Sequence, residues 1–75
     1  MAKGYIHTVF KGGGQWVNEV EGGDRFGGEY GRKDEAVDAG RIRAIRNQTE
    51  HVIHNEDGTI SERNLYGDDP GDRPG

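Results

Sequence analysis

The stretch KDEAVDAGRIRAIRN, residues 33–47, decides the fold, because it carries the one clear helical pattern of the sequence. Its acidic residues come early and its arginines late, an order that complements the helix macrodipole at both ends. At about 100° per residue, the small residues Ala36, Gly40 and Ala44 fall on one side of the helix. The sequence therefore predicts a helix whose axis lies close against a sheet.

Two isoleucines, Ile42 and Ile45, lie well away from that small-residue side. They fall on a wall of the helix that is otherwise expected to face solvent. Exposed large apolar side chains favour contact with another surface, here a second subunit or a folded-back C-terminal tail. Ile42 and Ile45 are therefore a candidate partner interface.

Short segments on either side of the helix are rich in aromatic and β-branched residues, which predicts strands. Glycine-rich turns separate the first three segments, and an Asp-Gly turn separates the last two. The order β-β-β-α-β-β predicts an α+β fold, in which one helix packs on one face of a small antiparallel sheet. The predicted strands span residues 5–10, 15–21, 25–30, 50–54 and 59–64.

The composition fits a single small domain, which we expect to span residues 1–66. Only 29% of the 75 residues are hydrophobic, so a thin core is expected and a second subunit is a reasonable source of stability. The ending GDDPGDRPG, residues 67–75, combines three acids, two prolines and three glycines. That composition predicts a mobile acidic tail.

The sequence gives no sign of a membrane or secreted protein. No stretch approaches the roughly 18 consecutive apolar residues of a membrane helix. The opening MAKGYIHTVF lacks the long apolar core of a signal peptide, and cysteine is absent, which excludes disulfides. We therefore expect a cytoplasmic protein with no membrane partner.

Residue types needed for catalysis are scarce. Ser61 is the single serine, there is no cysteine nucleophile, and no Gly-x-Ser-x-Gly elbow occurs. Paired acids such as Glu19 and Glu21 lie in no obviously apolar setting that would suit acid–base catalysis. The glycines of GGGQW lack the Lys and Ser/Thr of a phosphate-binding loop. We predict that the chain is not an enzyme and needs no cofactor.

The three histidines do not form an evident metal site. His51 and His54 are three residues apart on a predicted strand, so their side chains are expected on opposite faces. His7 and His54 form a pair only if their strands are neighbours, and a bound metal would then need Asp57 or Glu56 as well. Hydrogen-bonded structural histidines are the favoured interpretation, and no metal is predicted.

Half of the ten basic residues lie on or next to the helix, which makes nucleic acid an alternative partner. Against this, the late arginines point in different directions around the helix, and the sequence pI is near 5.2. The candidate nucleic-acid contacts are Arg32, Lys33, Arg41, Arg43 and Arg46.

The last predicted strand is followed by Leu65 and Tyr66, which would place an apolar and an aromatic group at the edge of the sheet. Such an edge serves dimer pairing or the addition of a partner strand. Alternatively, the two side chains cap the core beneath the helix. Leu65 and Tyr66 are therefore a second candidate partner interface.

Four segments together resemble a known family. They are KGYIHTVF at 3–10, GGQWVNEVEG at 13–22, DEAVDAGR at 34–41 and HVIHNEDGTISERNLYGDDP at 51–70. In these the chain is similar to the small bacterial proteins of domain of unknown function 2188, for which the resemblance implies no activity. Asn18 departs from the pattern at a usually apolar position, and Arg32 stands where a helix-capping Thr is usual.

The function expected from these observations is non-enzymatic binding. We expect a small module that acts through self-association as a homodimer or through a protein partner, using the isoleucine wall or the sheet edge. The alternative is a nucleic-acid-binding regulator that uses the arginines of the helix.

Overall fold

A computed structural model describes residues 4–66 of the chain. The predicted order of elements is confirmed, and the helix and the fourth strand begin and end at the predicted residues. The predicted tail at 67–75 lies outside the described residues. The elements are β1 (Ile6–Gly12), β2 (Gln15–Val20), β3 (Asp24–Tyr30), α1 (Lys33–Asn47), β4 (Glu50–His54) and β5 (Ile60–Leu65).

The strands form one sheet in the order β3-β2-β1-β4-β5. Three neighbouring pairs are antiparallel as expected, whereas β1 and β4 are parallel, so the α+β class is confirmed with a mixed sheet. The parallel pair arises because α1 carries the chain back across the sheet after β3. A connection of this length is what parallel neighbours require.

The helix packs on one face of the sheet through its small residues. Ala36, Gly40 and Ala44 are buried, as their spacing predicts. A Cβ atom on Gly40 would lie only 2.5–2.8 Å from polar atoms of three strand side chains. Glycine at this position therefore lets the helix axis approach the sheet closely.

The core is thin and has members on both faces of the sheet. Ile6, Trp16 and Ile53 are buried on the helix side, and Val17 and Val52 are buried on the opposite side. This assignment follows from strand alternation, because neighbouring residues point to opposite faces. We call the side opposite α1 the open face.

The helix begins at Lys33 with Arg32 as its N-cap residue, and within residues 4–66 no side chain caps it. Arg32 instead bonds Asp34 in the first turn, at 3.0 Å. Within the same residues, no helix has the length and apolar character needed to cross a membrane.

Candidate interaction surfaces and histidine clusters

The outer side of α1 exposes the two predicted isoleucines. Ile42 is 58% exposed and Ile45 is 50% exposed, which is high for residues of this size in a thin domain. Beside Ile42 is a shallow hollow of about 230 Å³ between α1 and β3, whose lining includes Phe26 and Tyr30. We call the two isoleucines and this hollow the helix wall.

Opposite charges flank the helix wall. Exposed acids lie in the N-terminal half of α1, and exposed arginines lie in its C-terminal half. By helical spacing at about 100° per residue, Glu35 and Arg46 lie on one flank of the isoleucines and Asp34 and Arg41 lie on the other, whereas Asp38 lies in line with the isoleucines, one turn before Ile42. The two isoleucines thus form an apolar strip. On each side of this strip, the side-chain charge changes from negative to positive towards the C-terminal end of the helix.

The predicted nucleic-acid contacts are mostly engaged within the chain. Arg32 pairs with Asp34, which holds the pKa of that carboxyl below its usual value through the guanidinium hydrogen bond. Arg41 pairs with Asp38 at 3.1 Å. These acids offset part of the charge that a phosphate backbone would need.

The remaining basic residues lie at two separate places. Arg43 stacks over the ring of Phe26 at 4.2 Å and, with Arg46, lines the hollow of the helix wall. Lys33 lies over the ring of Trp16 at 5.4 Å, near the other end of α1. The five candidates therefore do not form one continuous basic surface.

The second predicted surface lies on the edge strand β5. Leu65 is 62% exposed, whereas Tyr66 is half-buried and its backbone N–H donates to the carbonyl of Thr49 at 3.2 Å. Ile60, at the other end of β5, is 49% exposed. The charged residues between these apolar ends include Arg63, which bonds Glu50 on β4 at 2.5 Å.

A buried polar cluster lies between the sheet and Gly40, and sequence reasoning did not anticipate it. The Asn18 amide N–H donates to the carbonyl of Ala36 at 2.9 Å, so its side-chain oxygen accepts from the Thr8 hydroxyl at 2.5 Å. Since the single Thr8 proton is used there, His51 Nε2–H must donate to the Thr8 oxygen, at 2.7 Å. We call Thr8, Asn18 and His51 the buried trio.

This order of donors places a proton on His51 Nε2. Its Nδ1 has no hydrogen-bond partner within residues 4–66. Burial, with smaller contributions from nearby Arg41 and His7, lowers the pKa of His51 to about 4, which keeps the ring neutral near pH 7. Because His51 Nε2 already carries a proton and donates to Thr8, it does not act as a base towards that hydroxyl. All three side chains are also 0% exposed, which closes the trio to a substrate.

The open face carries the other two histidines, as the spacing of His51 and His54 predicted. Because β1 and β4 are neighbours, His7 and His54 meet, with His7 Nδ1 at 3.0 Å from His54 Nε2. Their outer nitrogens donate to Glu21 at 2.6 Å and to the carbonyl of Gly58 at 3.3 Å. We call His7 and His54 the histidine pair.

Within residues 4–66, no three His, Cys, Asp or Glu side chains are grouped as a metal site would require. The Asp57 carboxylate is engaged within its own turn, where it accepts hydrogen bonds from the backbone N–H and the hydroxyl of Thr59. Those two bonds lower the pKa of Asp57.

Comparison with known proteins identifies the family. A family model described as an uncharacterized protein conserved in bacteria, DUF2188, matches residues 6–66. The chain belongs to the DUF2188 family. The resemblance in the four segments is thereby confirmed, and the matched range includes every strand and the helix. Neither a curated protein nor a solved structure matches the chain.

In this DUF2188 chain a second, larger concave surface than the hollow of the helix wall was also not foreseen. A cavity of about 800 Å³ lies at the start of α1 and is lined by Trp16, Lys33, Val37 and Asn55, among others. Lys33 also reaches the Asn55 side-chain oxygen at 3.5 Å. Local sequence patterns do not reveal this cavity, because it forms only where the start of α1 lies beside Trp16 on the sheet.

Proposed function

We propose that this DUF2188 chain is a non-enzymatic binding module that works as a homodimer. In the dimer, α1 of one copy lies antiparallel to α1 of the second copy, and the helix walls meet. The observation that carries this proposal is the exposure of Ile42 and Ile45 at the centre of a charge pattern that complements itself.

The apolar centre supplies the attraction. Full burial of an isoleucine side chain is worth about 1.5–3 kcal/mol, and half of each surface is still exposed in the single chain. A symmetric contact would bury four such side chains. Aromatic and arginine side chains around the adjacent hollow, such as Tyr30 and Arg43, are typical of protein interfaces.

The flanking charges determine the direction of the two helices. In a two-fold antiparallel pair, each flank of one helix faces the same flank of its partner. Glu35 then lies towards Arg46 of the second copy, and Arg46 lies towards Glu35 of the second copy. A parallel pair would instead bring acids beside acids and arginines beside arginines. The pattern on the helix therefore favours a second, antiparallel copy as the occupant of the wall.

Charge reversal tests this arrangement directly. Two variants of the full chain are compared with wild type by light scattering and sedimentation, namely Glu35→Arg and Arg46→Glu. Each variant alone should self-associate at least about tenfold more weakly, because both cross-helix pairs between positions 35 and 46 become repulsive. Mixing the two variants should restore association, since opposite charges then face each other at both pairs of positions.

An apolar substitution provides the matched control. Ile42→Glu/Ile45→Glu should abolish self-association, whereas Ile60→Glu/Leu65→Glu on edge strand β5 should leave it intact. Circular dichroism verifies that each variant is folded. A wild-type chain that is monomeric at high micromolar concentration would contradict the homodimer, as would a mixture of charge variants that fails to associate.

Nucleic-acid binding ranks second because Arg32 and Arg41 are already paired with acids and the basic residues are divided between two places. A mobility-shift titration at low and moderate salt separates the two functions. Binding to phosphates falls steeply with salt, whereas an interface centred on isoleucines does not.

A further inference from the structure

The cavity at the start of α1 combines apolar surface with a few polar side chains. Its volume of about 800 Å³ lies within the roughly 300–1,000 Å³ of small-molecule sites. Val37 and Trp16 supply apolar surface, and Lys33 and Asn55 supply polar atoms. Sites for small molecules share this composition, because the apolar part gives contact area and the few polar groups orient the ligand.

Trp16 brings an unused hydrogen-bond donor to this cavity. It is only 5% exposed, and its ring packs against Phe10 with the two ring centroids 5.0 Å apart. Within residues 4–66 its indole N–H donates no hydrogen bond, and unlike His51 Nδ1 it is not fully enclosed by protein. An indole N–H donates and never accepts, so this group favours a ligand that presents an acceptor.

Lys33 places a positive charge near the Trp16 ring. Its ammonium nitrogen lies 5.4 Å from the centre of that ring and 3.5 Å from the side-chain oxygen of Asn55. Among residues 4–66 no carboxylate pairs with Lys33. An ammonium group has three N–H donors, and a single long hydrogen bond leaves most of them unused. Together with the indole N–H, Lys33 favours a ligand that carries negative charge.

The acids of the lining restrict the size of that charge. Asp34 and Asp38 each form an ion pair with an arginine of the chain. Glu56 also lines the cavity, and within residues 4–66 it pairs with no cation. Among the described residues of the lining, one unpaired cation, Lys33, therefore stands against one unpaired acid. A ligand with one negative charge suits this balance better than a doubly charged phosphate, which Glu56 repels more strongly.

We propose that this cavity binds a small apolar carboxylate. The carboxylate accepts hydrogen bonds from the Lys33 ammonium and the Trp16 indole N–H, and the apolar body of the ligand packs against Val37. The hydrogen bond from Lys33 to Asn55 helps to hold the ammonium near the Trp16 ring before the ligand arrives. The site does not depend on the homodimer, since neither isoleucine of the helix wall is part of its lining.

Fluorescence reports on this cavity directly, because Trp16 is the single tryptophan of the chain. The full chain is titrated at neutral pH with cyclohexanecarboxylate, and a saturable change in emission is expected in about the millimolar range. Acetate lacks the apolar body and cyclohexanecarboxamide lacks the charge, so each should bind at least about fivefold more weakly. Cyclohexyl phosphate should also bind more weakly than the carboxylate. An emission change that does not saturate, or equal or tighter binding of the carboxamide or the phosphate, would overturn the proposal.

Proton–nitrogen NMR spectra test the contact with Trp16. A chain with one tryptophan gives one indole N–H cross-peak. This cross-peak should move to lower field as the carboxylate accepts a hydrogen bond from the indole, with the same affinity as the emission change. A cross-peak that stays in place while the emission changes would reject the proposed contact.

Two lysines supply a matched pair of variants. Lys33→Gln keeps a side chain of similar length but removes its charge, so the affinity for cyclohexanecarboxylate should fall at least about tenfold. Lys11→Gln makes the same change on an exposed residue of β1 that does not line the cavity, and the affinity should be unchanged. Circular dichroism verifies that both variants are folded.

A third variant is expected to act in the opposite direction. Glu56→Gln removes the acid that opposes Lys33, so the affinity for cyclohexanecarboxylate should rise about two- to threefold. Weaker binding by Glu56→Gln, or equal affinities of Lys33→Gln and wild type, would reject the charge arrangement on which the proposal rests.

Discussion

His51, on the helix side of the sheet, is fully buried, and its environment keeps its ring neutral. On the open face, His7 and His54 are partly exposed and form hydrogen bonds to each other, to Glu21 and to the carbonyl of Gly58. Since His51 and His54 belong to the same short strand, local sequence alone does not set their chemistry. The difference comes from what each face supplies, namely a desolvated hydroxyl on one side and a carboxylate on the other.

The comparison also predicts a response to pH on the helix side of the sheet. The buried trio needs a neutral His51 ring, so acid works against it. The predictions below test the helix side of this comparison, where the expected effects on stability are largest.

The largest effect is expected from Gly40→Ala. In an exposed helix this change would stabilise by about 1 kcal/mol, but here the new Cβ would lie 2.5–2.8 Å from all three members of the buried trio. Displacing the helix and breaking buried hydrogen bonds should lower the free energy of unfolding by about 3–4 kcal/mol. Urea denaturation measures the loss.

Gly28→Ala is the control for that substitution. Gly28 has no atom within 4 Å of the position its Cβ would take, and its backbone does not need glycine. Its variant should change the free energy of unfolding by less than about 1 kcal/mol. A Gly40→Ala protein as stable as wild type would show that the helix does not rest on the trio as described.

The next largest effect is the acid sensitivity that His51 confers. Its pKa is about 4 in the folded chain, against an ordinary value of 6.5. The unfolded chain therefore binds the proton more readily, and stability present above about pH 6.5 is lost progressively as pH falls towards about 4. The full loss is about 3 kcal/mol.

The His51→Gln variant separates the pH dependence of stability that His51 causes from the pH dependence that the carboxylates cause. Free energies of unfolding are measured for both proteins between about pH 7 and about pH 4. The variant should be less stable at neutral pH, yet its stability should fall less steeply with acid. Parallel curves for the two proteins would mean that His51 does not titrate as its burial requires.

Much of this fold follows from local patterns in the sequence. The helix boundaries follow from the charge order of residues 33–47, and its buried side follows from the spacing of Ala36, Gly40 and Ala44. The exposure of Ile42 and Ile45 follows from the same spacing. These features depend on residues within a few turns of one another, which is why the sequence predicts them.

The parallel pairing of β1 with β4 and both histidine arrangements depend on distant residues. Thr8 meets His51, and His7 meets His54, only because the crossover brings β4 beside β1. The alternation of side chains along β4 correctly predicts that His51 and His54 lie on opposite faces of the sheet. It does not predict which strand lies beside β4. Asn18 departs from an apolar pattern for the same reason, since its partner Thr8 lies on another strand.

The smallest of the three effects is expected from Thr8→Val, which keeps the shape of a buried side chain and removes its hydroxyl. His51 Nε2–H and the Asn18 oxygen both lose their partner, so unfolding should cost about 2 kcal/mol less than in wild type. Thr59→Val is the matched control, because that hydroxyl also makes two hydrogen bonds but is exposed. Water can replace the bonds of Thr59, and its variant should lose less than about 1 kcal/mol. If the two variants lost equal stability in urea denaturation, burial would not be the source of the difference between the two faces.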